Sequence, residues 1–190
     1  AKGRDHSAKQ AFVEFIRKRY PSIADFNKAW EGSVTSFDAL LDMKEMGGVT
    51  NAKIVEDKED FTRFIIDTYF SVTTAAVKRA DPNHMTLGCR VASGTTPVAD
   101  FVWESAGQYC DVVSFNHYGR IDLQTGEAYS LVKGERIPFT ALLSSFYAKA
   151  KKPLMVTEWS FPSYDSGLPC LHGAGMRVET QTERALCYEI

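Results

Sequence analysis

The stretch Lys151-Lys152-Pro153-Leu154-Met155-Val156-Thr157-Glu158-Trp159-Ser160 decides how the chain is read. Proline cannot continue a helix and pushes the residue before it towards extended geometry, so Lys-Lys-Pro ends a helix. Leu154 to Val156 is then a short apolar run suited to a strand buried on both faces. The run ends in a carboxylate, Glu158, followed by Trp159, Phe161 and the turn-forming Pro162-Ser163. A parallel barrel delivers catalytic groups in this way, at the C-terminal ends of buried strands. The plain alternative is a solvated charge where a strand leaves the core.

Working back from that strand, residues 138–150 are expected to be a helix with Leu142, Leu143, Phe146 and Tyr147 on its apolar face. Residues 120–134 read as a polar loop with a small hairpin. Two earlier stretches are strand-like, 110–118 (CDVVSFNHY) and 85–91 (MTLGCRV), with a short helix between them within 94–107. After Glu158 come a Gly/Pro-rich loop over 161–175 and a last helix from about Thr180. Strand and helix alternate, which predicts parallel strands joined by crossovers.

The chain before residue 85 reads as helices. Asp5 or Ser7 caps the first, whose apolar face carries Phe12, Phe15, Ile16 and Tyr20, and Pro21 stops it. Ser22 with Asp25 resembles a capping box opening a second helix with Ile23, Phe26 and Trp30 on one side. A third runs from Ser36 through Leu40 and Leu41 to Gly47-Gly48. Asp60 is expected to cap a longer helix bearing Phe61, Phe64, Ile65 and Val72, closed by Asp81-Pro82-Asn83. The organisation expected is one domain over 1–190, a helical segment over 1–81 followed by β/α units over 85–190.

With 190 residues, 44% hydrophobic, 24% charged and a formal net charge of −2, the composition is that of an ordinary globular protein. Lys and Arg are scattered with no basic stripe, which argues against nucleic acid. No apolar run approaches the ~18 residues of a membrane span, and no signal peptide is visible. Ala1 in place of Met predicts a processed or excised start, so location is left open between secreted, periplasmic and cytoplasmic. Cys89, Cys110, Cys170 and Cys187 form no C-x-x-C pair, and no histidine stands at ligand spacing to them, so no metal is called for. Cys89 and Cys110 read as buried hydrophobes, and Cys170 with Cys187 is left open as a disulfide. No G-x-G-x-x-G or Walker pattern occurs, and no cofactor is expected.

The strand ends collect the polar candidates: Arg90 after the first, Asn116, His117 and Tyr118 after the second, Glu158 and Trp159 after the third. In a parallel sheet these ends face one crevice. Period two puts Ser114, Asn116 and Tyr118 on one side, Phe115 and His117 on the other. A tyrosine hydroxyl beside a carboxylate holds it ionised and oriented, as a nucleophile requires. Trp159 and Trp103 offer flat faces on which sugar rings stack. Each has a plainer reading: His117 satisfied in a strand turn, Tyr118 a half-buried cap on the core, Arg90 a partner for a carboxylate, Trp103 helix packing. His172 lies in a His-Gly-Ala-Gly loop whose glycines are explained by turning alone.

These segments carry a resemblance. KPLMVTEWSF resembles the strand bearing the nucleophilic glutamate of retaining glycoside hydrolases of the large TIM-barrel clan. CDVVSFNHYG and DPNHMTLGCRVA are similar to the two strands before it, and FVEFIRKRYPSIADFNKAW to the helical insertion of β-galactosidase-like and β-agarase-like members. The loop after the glutamate, ending in TQTERA, most resembles the β-agarase family. The resemblance covers nearly the whole chain, from the fourth barrel helix to the seventh. It implies an α/β fold, a partial TIM barrel of three parallel strands with crossover helices, preceded by a helical insertion.

The resemblance further implies Glu158 as nucleophile, Tyr118 as the residue orienting it, and Arg90, Asn116, His117, Trp159 and His172 as substrate contacts. The substrate implied is a carbohydrate, a β-linked, galactose-containing glycan of agarose type. The family's acid/base glutamate follows an asparagine, and no Asn-Glu pair exists here. The expectation is therefore a fragment with half an active site, inactive alone, whose open sheet edges favour a homo-oligomer. Two alternatives stand beside it: a non-catalytic carbohydrate-binding or interaction module derived from a barrel, and another α/β enzyme using His117 with Glu158 as an acid–base pair.

Overall fold

The computed structural model describes residues 3–44, 51–93, 98–170 and 175–190. Its contacts divide the chain into two units, Ala1–Ile65 and Ile66–Ile190.

In the first unit, helix α1 spans Ser7–Arg19 and buries Phe12, Val13 and Ile16. The capping expectation is corrected: His6 is the N-cap, and no side chain caps it. Tyr20 turns extended ahead of Pro21, as the ring of a following proline demands. Helix α2 (Ile23–Trp30) opens as expected, with the Ser22 side chain accepting from the Asp25 N–H. The expected third helix is a 3-10 turn over Asp38–Asp42, and its Gly47-Gly48 end lies outside the described residues.

Helix α3 spans Ala52–Ala80. Asp60 does not cap it. Asn51 Oδ1 takes the Ile54 N–H at 2.8 Å, while Asp60 binds Arg19 at 2.5 Å. Around Phe12, ring centroids approach to 4.9 Å with Phe61 and 6.0 Å with Trp30. At the bottom of this aromatic cluster lies Asp57, 0% exposed. Tyr20 Oη donates to it at 2.5 Å, Trp30 Nε1 at 2.7 Å, and Arg19 Nε stands 2.6 Å from its other oxygen. Burial, and then the neighbouring carboxylate, pushes the Tyr20 phenol up to about 12.

The second unit is built on a parallel sheet. Strands β1 (Val91–Ser93), β2 (Val113–His117) and β6 (Leu154–Glu158) pair in the order β1-β2-β6, all parallel. Helix α4 (Asp100–Tyr109) connects the first two, and helix α5 (Phe139–Ala150) leads into the third. The α/β expectation with three parallel strands is therefore met. Trp103 takes its plainer reading. It is 1% exposed, stacks on Phe146 at 4.1 Å and packs with Phe115 over the sheet. Tyr147, placed on the apolar face of α5 by the sequence, is 59% exposed.

The two helices cross where Gly107 meets the end of α5. A β-carbon there would lie 1.9 Å from the Ala150 carbonyl oxygen, so only glycine allows the approach.

Two strand expectations are corrected. The first strand lies at 91–93 rather than 85–91, so Arg90 precedes it instead of ending it. Gly88 takes a φ of +68°, which breaks an extended run. Thr86 is drawn instead to Asp111, its N–H 2.8 Å from Oδ2. Lys78 pairs with the same carboxylate at 2.8 Å. With Lys78 as the first cause and Thr86 the next, the Asp111 carboxyl is held down at about 2.

The polar loop after β2 is a second sheet, antiparallel, in the order β3 (Arg120–Asp122), β4 (Glu127–Val132) and β5 (Glu135–Pro138). Its turns are local: Asp122 Oδ1 accepts from Gln124 and Thr125, and Lys133-Gly134 both take positive φ, as a two-residue hairpin requires.

The last helix, α6 (Gln181–Glu189), begins where the sequence placed it. Thr180 and Glu183 form a reciprocal capping box. All four cysteines are free, with Cys170 Sγ donating to the Ser163 carbonyl at 3.2 Å.

Candidate active site at the end of the parallel sheet

Glu158 reaches its position through a break in the ladder. Val113, Ser114 and Phe115 pair with Leu154, Met155 and Val156, but Asn116 pairs with Glu158, so one residue of β6 is passed over. That residue is Thr157. A bulge reverses the alternation of side chains downstream of it. Val156 accordingly shares the helix-covered face with Phe115, while Glu158 shares the opposite face with Asn116. Without the bulge, strict alternation would carry Glu158 to the face of Val156.

On that face the carboxylate meets donors on both oxygens. Tyr118 Oη donates to Oε1. Asn116 Nδ2 donates to Oε2 at 2.8 Å, and Arg90 Nη1 pairs with the same oxygen at 2.6 Å. Hydrogen bonds and a cation directed at both oxygens of a carboxylate fix its orientation. The Glu158 side chain is 39% exposed, so an incoming group can reach it. These partners stand far back in the chain, Arg90 just before β1 and Asn116 on β2, 68 and 42 residues earlier.

The other sequence candidates part company here. His117 lies on the far face, 9% exposed, with Nε2 3.0 Å from Ser130 Oγ and its ring stacked 4.3 Å from Phe139. Burial holds its pKa below the usual imidazole value. Trp159 also turns to that face, where its ring meets Tyr188 edge-on at 6.5 Å. Both line an apolar cleft of about 410 Å³ with Tyr129, Phe139, Phe161 and Tyr188. Glu158 and its donors do not line it. His172 lies outside the described residues.

Two residues of the site went unnoticed in the sequence. Thr157 is the bulge residue. Gly175, at φ +100°, brings the loop after Glu158 back so closely that a β-carbon would stand 2.5 Å from the Ser160 carbonyl oxygen and 3.7 Å from Tyr118 Cβ. A glycine at a loop's return point is the signal that could have found the second. Nothing local marks the first.

Among the described residues, no group of three His, Cys, Asp or Glu could hold a metal ion, and no helix is long and apolar enough to cross a membrane.

A carboxylate offered at the C-terminal end of a parallel strand and held by a tyrosine invites comparison with glycosidases. Residues 4–166 match the beta-galactosidase family Glyco_hydro_42. The chain belongs to this family. Its sequence is also β-agarase-like. It is 29% identical over 182 residues to beta-agarase B of Vibrio sp. (strain JT0107), a match covering 95% of this chain and 17% of that protein. With beta-agarase A of the same strain it shares 32% over 164 residues, 84% of this chain and 15% of that one.

Solved structures agree. An agarase, AgWH50C, superposes with a TM-score of 0.73 at 28% identity, covering 99% of this chain and 24% of that one. An exo-beta-agarase does so at 0.75 and 25%, covering 99% and 23%. The chain thus spans less than a quarter of the length of these relatives.

Proposed function

We propose that the chain carries the nucleophile side of a retaining glycosidase site acting on a β-linked, galactose-containing glycan of agarose type. In this reading β1, β2 and β6 are consecutive staves of a (β/α) barrel, and Glu158 attacks the anomeric carbon. Tyr118, Asn116 and Arg90 keep it aimed. The observation that carries the proposal is the convergence of these donors, from β2 with the residue after it and from the residue before β1, on one half-exposed carboxylate at the C-terminal end of β6.

Retaining hydrolysis needs a second carboxyl group ~5–5.5 Å away as acid and then base. No Asn-Glu pair exists in the sequence to supply it in the family's manner. Protonation of the leaving group typically contributes ~10²–10⁴-fold, so this chain by itself is expected to hydrolyse ordinary glycosides little or not at all. The outer edges of β1 and β6 support a further expectation, that the chain associates with additional strands, those of a second copy included.

A substrate whose leaving group departs unaided tests the nucleophile alone. Incubated with 2,4-dinitrophenyl 2-deoxy-2-fluoro-β-galactoside, the chain should release dinitrophenolate as a Glu158 oxygen bonds to C1. The fluorosugar then stays esterified to the peptide containing Glu158, as mass spectrometry can read. The variant E158Q should carry none. No adduct, or an adduct on another residue, overturns the reading. Sugar binding that survives E158Q without any adduct would instead favour a non-catalytic binding module.

A further inference from the structure

Thr157 does more than occupy the bulge. Its Oγ1 lies 3.2 Å from the Phe115 carbonyl oxygen and 3.3 Å from Asn116 Oδ1, so a single hydroxyl proton is shared between two acceptors of the neighbouring strand. Asn116 in turn donates through Nδ2 to Glu158 Oε2 at 2.8 Å. The three residues form a directed series in which Thr157 gives to Asn116 and Asn116 gives to Glu158.

Direction matters in this series. An asparagine amide has an acceptor end and a donor end, and only the donor end is compatible with a carboxylate. A hydroxyl proton on Oδ1 anchors the amide from its far side and keeps Nδ2 towards Glu158. The shared bond to Phe115 clamps the backbone at the step where the two strands lose register. One side chain thus serves both conditions for presenting the carboxylate: the reversal of face and the orientation of its partner.

We propose that Thr157 is a positioning residue of this site, acting through its hydroxyl on the β2–β6 bulge and on the Asn116 amide. The functional meaning rests on the reading of Glu158 as nucleophile, but the structural claim does not, and the two can fail separately.

The test needs no turnover. In the ¹⁵N-labelled chain, the Asn116 side-chain amide, assigned by its loss in N116A, reports the series through its chemical shift and its exchange with solvent. T157V keeps the β-branched shape and removes the hydroxyl. Its Asn116 amide should shift and exchange about five- to tenfold faster, the loss expected for one ordinary hydrogen bond. T157S restores the hydroxyl and should return exchange to within about twofold of the parent by the same reasoning. A folded T157V with unchanged Asn116 shift and exchange overturns the proposal, as does T157S behaving like T157V. Should T157V not fold, T157C, a weaker donor of similar size, should exchange faster than T157S. Equal rates for that pair overturn the proposal too.

Discussion

Asn116 and Glu158 face one another across the β2–β6 ladder, joined at 2.8 Å, although Phe115 and Val156, paired just before them, face the opposite way. The register slips by one residue in between, and that slip separates a glutamate turned into the helix layer from one offered to solvent. The family match and the fold neighbours say what kind of protein this is. The slip says how this chain brings its carboxylate to the rim.

Removing the tyrosine hydroxyl should slow the chemistry without unfolding the sheet. Tyr118 donates to Glu158 Oε1, and hydrogen bonds to charged groups are worth about 1.5–3 kcal/mol. Y118F should lower the rate of adduct formation with the dinitrophenyl fluorogalactoside roughly ten- to hundredfold, by the same energy. Timed mass spectra measure it, and a rate equal to the parent's removes Tyr118 from the site.

Gly107 should not tolerate a methyl group. The added carbon would sit 1.9 Å from a backbone oxygen of Ala150, and backbone cannot rotate aside as a side chain can. G107A is expected to cost stability at the upper end of the about 1–3 kcal/mol typical of overpacking. Urea unfolding followed by circular dichroism reads the shift in midpoint, and an unchanged midpoint contradicts the close crossing of α4 and α5.

Stability should fall in mild acid because of His117. Its folded pKa lies below the usual 6.5, burial being the cause. Above pH 6.5 the ring is neutral folded or unfolded, and it contributes no pH dependence. As the pH drops below that value the unfolded chain takes up the proton first, so stability is lost progressively as the pH approaches the folded pKa. Urea midpoints between pH 7.5 and 5 should decline, and H117Q should flatten that decline. An equal slope in both proteins would assign the acid sensitivity elsewhere.

Asp57 should be the costliest polar residue to remove from the first unit. It is fully buried against Arg19, Tyr20 and Trp30. D57A leaves the Tyr20 and Trp30 donors unpaired, at about 1–3 kcal/mol each, while Arg19 keeps Asp60 and Glu56. Y20F leaves the other two partners in place and should cost about 1–3 kcal/mol. Thermal unfolding of both variants orders them, and a D57A no less stable than Y20F contradicts the network.

Much of this protein was determined by local sequence. Pro21 and Pro153 bound their elements, Ser22 and Thr180 start helices, and short apolar runs mark β2 and β6, because each signal is a preference of a few adjacent residues. Glu158 and Tyr118 could be singled out from strand ends for the same reason. No strand forms over 85–90 because Thr86 is captured by Asp111, 25 residues away, a partner no local signal reveals. Closeness in sequence groups His117 and Trp159 with Glu158, but the ladder sends both to the other face.

What only tertiary structure decided is the bulge. Whether Thr157 is counted or skipped depends on hydrogen bonds to Phe115 and Asn116, some 42 residues distant along the chain. A period of two in one strand contains no information about a step taken between two.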